Sequence, residues 1–337
     1  MEHFSPTLEH FPATAEVKAI HAPSLDAYAL GYCIANFPLG VSWAVGIFGV
    51  GHHSFTCGLN TNTPCVGNIK ELKIFDCPLN FADLKSNPLS ATISLSLQSC
   101  QLTNTDMLRD LSELIPHLPH LQTLDISLNH VTDGEQDGLL KILHQLCDSK
   151  VTGLGIVNTG LGKLLDSPHD YSSTIKRLIH PSSGTLHLLG VGHIGDFEDN
   201  NDDKLAALVL APSSLKQLIL GVVSLSPYAV HLKNNTCLTA LNLVCADLSA
   251  VVSDVVDIVT NNKTLQELWM SKFSNSDIDA VRPLVRAICE NTTLQHIELY
   301  FADIGESDEA VFAYMKTHHK DLTYDSRIAW KVDFLFL

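Results

Sequence analysis

A short apolar motif recurs along this chain nine times, and no other feature restricts its fold as much. Leu121-Gln-Thr-Leu124-Asp-Ile126-Ser-Leu-Asn129-His-Val131 fits L-x-x-L-x-L-x-x-N/C-x-L at all six defining positions. Upstream the pattern returns as Ile69, Leu72, Ile74, Cys77, Leu79, and as Thr92, Leu95, Leu97, Cys100, Leu102. Downstream it reads Val151, Leu154, Ile156, Leu161, then Leu186, Leu189, Val191, then Leu215, Leu218, Leu220, Leu225. Leu238, Leu241, Leu243, Leu248 follow, and Leu265, Leu268, Met270 and Leu294, Ile297, Leu299, Ile304 complete the series. The units start at 69, 92, 121, 151, 186, 215, 238, 265 and 294, a mean period of about 28 residues.

The spacing has a physical cause. Positions 4 and 6 alternate, so on a short strand both point to the same side. Positions 1, 9 and 11 bend the chain around that same core. Position 9 needs a small side chain able to satisfy buried backbone groups, which Asn129 supplies. Cys77 and Cys100 fill it as small, buryable residues. The rest of each unit closes with a helix: the segments from Asp133, Ser249 and Asp277 open on a capping residue and continue with helically spaced apolar residues. Asn261 and Asn291 sit where such a helix stops. Strand alternating with helix at this period predicts an α/β solenoid, a horseshoe with a curved parallel sheet inside and helices outside. About nine or ten strands are expected, with Leu72, Leu95, Leu124, Leu154, Leu218, Leu241, Leu268 and Ile297 stacked in one inward column. The organisation read from the chain is a degenerate N-terminal repeat or cap over 1–66, an array over 67–322 and an atypical apolar tail over 323–337. Within 1–66, Val41 to Phe55 has the look of a degenerate unit.

These repeats resemble leucine-rich repeats of the ribonuclease-inhibitor-like class, which also forms the C-terminal sensor region of NOD-like (NACHT-type) innate immune receptors. The helix-to-strand joints Asn262-Lys-Thr-Leu265-Gln-Glu-Leu268 and Asn291-Thr-Thr-Leu294-Gln-His-Ile297 carry the likeness most closely. The resemblance implies a protein-interaction module, either the ligand-sensing part of an intracellular receptor or a regulator that holds a basic protein through an acidic surface. No Walker A pattern occurs in the sequence, so a receptor ATPase module is not within it. The tail Trp330-Lys-Val-Asp-Phe-Leu-Phe-Leu is too apolar for an ordinary polar cap, which suggests a fragment or an irregular product.

Charge narrows the partners. Against 21 Lys and Arg stand 37 Asp and Glu, a formal net charge of −16. Nucleic-acid binding depends on phosphate contacts from Lys and Arg, and anionic membrane surfaces attract the same residues, so neither is expected. A basic protein or peptide is the partner such a field attracts. The nine cysteines are odd in number and include no Cys-x-x-Cys, which argues for a reducing compartment rather than a disulfide framework. The N-terminus shows no basic start followed by an apolar core, and the apolar stretch Val41 to Gly51 is too short to span a bilayer. A soluble cytoplasmic chain is expected.

Motifs that usually carry chemistry find simpler readings here. Gly190-Val-Gly192-His-Ile-Gly195 is a literal G-x-G-x-x-G, yet Asp196-Phe-Glu-Asp-Asn-Asn-Asp-Asp follows, placing carboxylates where a pyrophosphate would sit. Read as a calcium loop from Asp199, that acidic run puts Lys204 where Gly is needed and Leu210 where Glu is needed. The histidine pairs His52-His53, His117/His120 and His318-His319 lack any accompanying metalloenzyme pattern. No G-x-S-x-G occurs. The sequon-like triplets at Asn234, Asn262 and Asn291 share one repeat phase, which marks helix-exit chemistry. No catalytic residue, cofactor or metal is expected.

The repeat frame does expose the strand face opposite the core, at positions 2, 3, 5, 7 and 8. Position 5 reads Asp125, Gly155, Gly190, Ile219, Asn242, Trp269 and Glu298 down the last seven strands. With Glu267, His296, Tyr300 and Phe301 beside them, Trp269 and Glu298 make an aromatic cluster among carboxylates, the composition of an interaction hot spot. Asp125, Glu267, Trp269, His296, Glu298, Tyr300 and Phe301 are therefore the candidate protein-binding residues.

Overall fold

The structure, a computed structural model, describes residues 42–48, 68–75, 89–100, 102, 105–129, 131, 136–165, 171–182, 184–193, 201–245, 248–273, 283–284, 286–288 and 290–301. The tail over 323–337 and most of 1–66 lie outside them. Ten strands form one sheet in strict chain order. They are β1 (Ser42–Phe48), β2 (Asn68–Phe75), β3 (Ser94–Gln98), β4 (Thr123–Asp125) and β5 (Gly153–Gly155). β6 (Leu188–Gly192), β7 (Gln217–Val222), β8 (Ala240–Cys245), β9 (Glu267–Phe273) and β10 (His296–Phe301) complete it. Every neighbouring pair is parallel. Parallel pairing of sequential strands needs a crossover each time, and from β3 to β9 the described helices supply it. These are α1 (Thr105–Leu114), α2 (Gln136–Cys147), α3 (Leu161–Leu164), α4 (Tyr171–Leu178), α5 (Asp202–Val209), α6 (Ser226–Leu232) and α7 (Leu248–Asn261). The chain is a leucine-rich-repeat α/β solenoid, and β1 shows that strand pairing begins within the degenerate N-terminal region.

The register follows the repeat frame. Leu72, Leu95, Leu124, Leu154, Leu189, Leu218, Leu241, Leu268 and Ile297 are partners in succession, and all nine are buried. The helices complete this layer from one side, with Leu108 and Leu111 of α1, Leu139 and Ile142 of α2, and Val251 and Val255 of α7 in the same core. Burying a Leu side chain stabilises by about 1.5–3 kcal/mol, so each member of this column contributes substantially to the core.

Two polar ladders, one in the earlier units and one in the later ones, each pin the corners of three coils. At position 9, the Asn129 amide donates to the carbonyl oxygens of Leu97 and Ile126 at 2.6 and 2.9 Å, and its Oδ1 accepts the Leu102 N–H. Cys100 and Thr159 do the same work with one donor each, reaching Ile74 O and Ile156 O. At the joint three residues before each strand motif, Asn262 Oδ1 accepts the N–H groups of Thr264 and Leu265 while its Nδ2 reaches back to Leu232 O. Asn291 repeats the arrangement one unit on, donating to Val259 O. In the earlier unit the role belongs to Asn235, not to its neighbour Asn234, which is exposed and donates to Val230 O within its own helix end. The triplets are thus structural joints, and Asn262 is only 3% exposed.

Candidate functional site

Alternation sends position 5 of every strand to the side away from the helices. The sheet aligns these residues in one row: Lys73, Ser96, Asp125, Gly155, Gly190, Ile219, Asn242, Trp269 and Glu298. The row is not uniformly open. From Ser96 to Ile219 every member is buried, Ile219 to 3%, and Val157 and Val244 two positions further along their strands are buried too. From Asn242 onward it becomes half-exposed, at Asn242, Trp269 and Glu298. Along position 5, what a partner can reach on the C-terminal half of the face lies on β8–β10; at position 3, Leu188 of β6 and Gln217 of β7 are half-exposed as well.

Asp125 therefore leaves the candidate list. It is 3% exposed, and its carboxyl accepts the Ser127 N–H at 2.9 Å and the Gln98 side-chain amide. It leans over the neighbouring strand so closely that a Cβ on Gly155 would overlap it. Burial pushes its pKa above the ordinary carboxylate range, against the opposing pull of hydrogen bonds from Ser127, Gln98 and Ser96. Sequence alternation placed it on the correct face, but the absence of a side chain at Gly155 lets it fold down into the sheet. It is a structural group.

The remaining described candidates come together on two strands. Glu267 and Trp269 alternate on β9, with His296 and Glu298 as their register partners on β10. The Trp269 and His296 rings lie 5.8 Å apart between centroids, tilted by 58°. His296 Nε2 is 2.7 Å from Glu298 Oε1, which fixes both side chains. Ala240 and Asn242 of β8 flank Glu267 and Trp269 on the other side. Asn242 was on the position-5 row but outside the candidate set. Its Oδ1 is shielded from solvent and has no hydrogen-bond donor. The side chains of Tyr300 and Phe301 lie outside the described residues, although both positions belong to β10.

The chemistry-bearing motifs go to structural roles as far as the described residues show. Gly190 and Gly192 are adjacent concave positions of β6, and Gly195 with the acidic run over 196–200 lies outside the described residues. Gly192 has φ +91°, and a Cβ there would overlap the carbonyl oxygen of Gly221. His193 is buried with Nδ1 3.8 Å from Asp202 Oδ1, which accepts the Tyr228 hydroxyl at 3.1 Å. His117 and His120 are both exposed, and the other two histidine pairs lie outside the described residues. Among the described residues, no three His, Cys, Asp or Glu side chains gather as a metal ion requires. Cys147 and Cys237 are free thiols, and the Cys100 thiol donates to the carbonyl oxygens of Ile74 and Gln98. Burial pushes the Cys147 thiol up, the reverse of nucleophile activation. No helix among the described residues is long and apolar enough to cross a membrane.

No family model and no curated protein matches the chain. Among solved structures it is similar to one from a complex of Rad7 and Elc1 in yeast, at 17% identity and a TM-score of 0.46. That match covers 76% of this chain and 75% of the other. The repeat assignment itself stands on the register of the sheet.

Proposed function

We propose that this chain is a non-enzymatic protein-interaction module that holds its partner on the β8–β10 end of the strand face, in the manner of the ligand-sensing repeat region of an intracellular NOD-like innate immune receptor. The observation that carries the reading is the exposure pattern of the position-5 row: closed over the centre and open where an aromatic ring, an imidazole and two carboxylates meet. Buried aromatic anchors ringed by polar groups dominate protein interfaces. A second reading, a ribonuclease-inhibitor-like regulator of a basic protein, draws on the net charge of −16.

A quantitative pull-down from cytosolic extract with wild type and Trp269→Ala tests the binding face. A partner that loses about thirtyfold in affinity on that substitution supports it, the equivalent of a hot-spot loss near 2 kcal/mol. Leu268→Ala supplies the stability control. Leu268 is fully buried in the core column, so its truncation should cost about 2–5 kcal/mol, whereas Trp269→Ala should barely move the melting temperature. If Trp269→Ala unfolds the protein as badly as Leu268→Ala, the ring belongs to the core and the binding face is misassigned. A thermal shift with a nucleotide or a divalent metal would point instead to an enzyme, because a specific ligand must raise stability.

A further inference from the structure

On the open end of the strand face, three neighbouring strands present a block of six aligned residues. Position 3 contributes Ala240, Glu267 and His296, and position 5 contributes Asn242, Trp269 and Glu298. Adjacent strands lie about 4.8 Å apart, so the whole block spans about 10 Å, the footprint of one or two side chains. Its chemistry is one-sided. Two carboxylates, an amide oxygen without a donor and an indole face all attract hydrogen-bond donors or positive charge. The block's one cationic candidate, His296, is already engaged by Glu298.

We infer that this block is a receptor for an arginine side chain carried by the protein partner. The inference rests on the binding face proposed above and names what that face recognises. A guanidinium is flat and carries five N–H donors in a fixed fork, so it can stack on Trp269 while donating to several acceptors at once. Glu267 takes one edge of the fork, and the half-buried Asn242 turns its amide outward on binding, so that the oxygen that has no donor in the free protein takes the other. The hydrogen bond between His296 and Glu298 holds the far wall, against which the Trp269 ring already leans. A lysine ammonium satisfies the charge but neither the stacking nor the fork, so arginine is preferred over lysine.

The test uses the full chain with fluorescently labelled hexa-arginine and hexa-lysine peptides, whose binding is read by polarisation at 150 mM salt. Wild type should bind the arginine peptide about tenfold more tightly than the lysine peptide, because only the guanidinium both stacks and forks. Trp269→Leu and Asn242→Ala should each bring the two affinities within about twofold of one another, by removing the stacking face or the second acceptor. Asn242→Ala also removes the orphaned oxygen, so its unchanged or raised melting temperature shows that the lost preference is not unfolding. Equal binding of both peptides by wild type would overturn the inference and leave only general attraction to an acidic surface. So would an arginine preference that survives both substitutions. In either case a pulled-down partner that still depends on Trp269 would leave the proposed binding face standing. A partner indifferent to Trp269→Ala would remove the face and the arginine site together.

Discussion

Buried polar side chains are where single residues decide most in this molecule, and Asp125 has the clearest consequence. Its native pKa is raised by burial, so the folded state holds the proton more tightly than the unfolded chain. As pH rises from the ordinary carboxylate range, the unfolded state ionises first and stability is lost until the native group has ionised as well. Asp125→Asn removes that loss, and the Ser127 N–H keeps an acceptor. Urea unfolding at pH 4 to 7 should therefore show Asp125→Asn gaining on wild type as pH rises; a pH-independent difference would contradict the raised pKa. Neighbouring asparagines give a second contrast. Asn262 is buried and bonded at both ends of its amide to backbone groups, so Asn262→Ala should cost about 1–3 kcal/mol. Asn261 is exposed and bonds only within its helix, so Asn261→Ala should change stability by about 0.5 kcal/mol or less. The sequence announced this joint through its phase, three residues before the strand motif. In the unit before Leu238 that count falls on Asn235, one residue past the start of the sequon-like triplet at Asn234, and Asn235 is the amide that turns inward.

At the scale of the strand, position 4 of every repeat was legible and depth on the opposite face was not. An apolar residue every other position fixes which side faces the helices, and the aligned column from Leu72 to Ile297 follows directly. Exposure on the other face depends on what the neighbouring strands lack. Gly155 and Gly190 carry no side chains to stand between solvent and sheet, yet Asp125 covers the first, and Ile219 beside the second is buried. Only a three-dimensional register shows that the row opens at Asn242. The same strands separate two glycines that the sequence presents as one motif. A Cβ at Gly190 would meet Gly155 Cα at 3.4 Å, an ordinary contact, with no unusual backbone angle. Gly192 combines φ +91° with close approach to Gly221, so a side chain there strains the backbone and parts β6 from β7. Thermal melts should show Gly190→Ala within about 1 kcal/mol of wild type and Gly192→Ala destabilised by more than that. Equal losses would mean that both glycines answer to a shared demand, such as a bound phosphate, and not to sheet geometry.

Across the whole molecule, salt separates what holds the solenoid together from what brings a partner to it. The coils are joined by an apolar column and by backbone and amide hydrogen bonds, none of which salt screens. Polar contacts between neighbouring coils on the helix side, such as Arg177 with Asp148, Lys233 with Asp257 and Ser226 with Asp254, involve at least partly exposed groups. Exposed ion pairs contribute only about 0–1 kcal/mol each. Against them stands the self-repulsion of a chain carrying −16, which salt relieves. Raising the salt from about 0.1 M to 1 M shortens the screening length from about 10 Å to 3 Å. The melting temperature should then stay constant or rise. Association with a basic partner works in the opposite sense, because the long-range attraction of the acidic surface is what the added ions remove. Affinity should fall steeply over the same range, while the share contributed by Trp269, measured as the ratio of wild type to Trp269→Ala, should change little, since stacking within a desolvated contact is poorly screened. A melting temperature that falls together with the affinity would show that ion pairs, not the leucine column, carry the fold. A binding ratio that collapses with salt would make Trp269 a bystander to an electrostatic encounter.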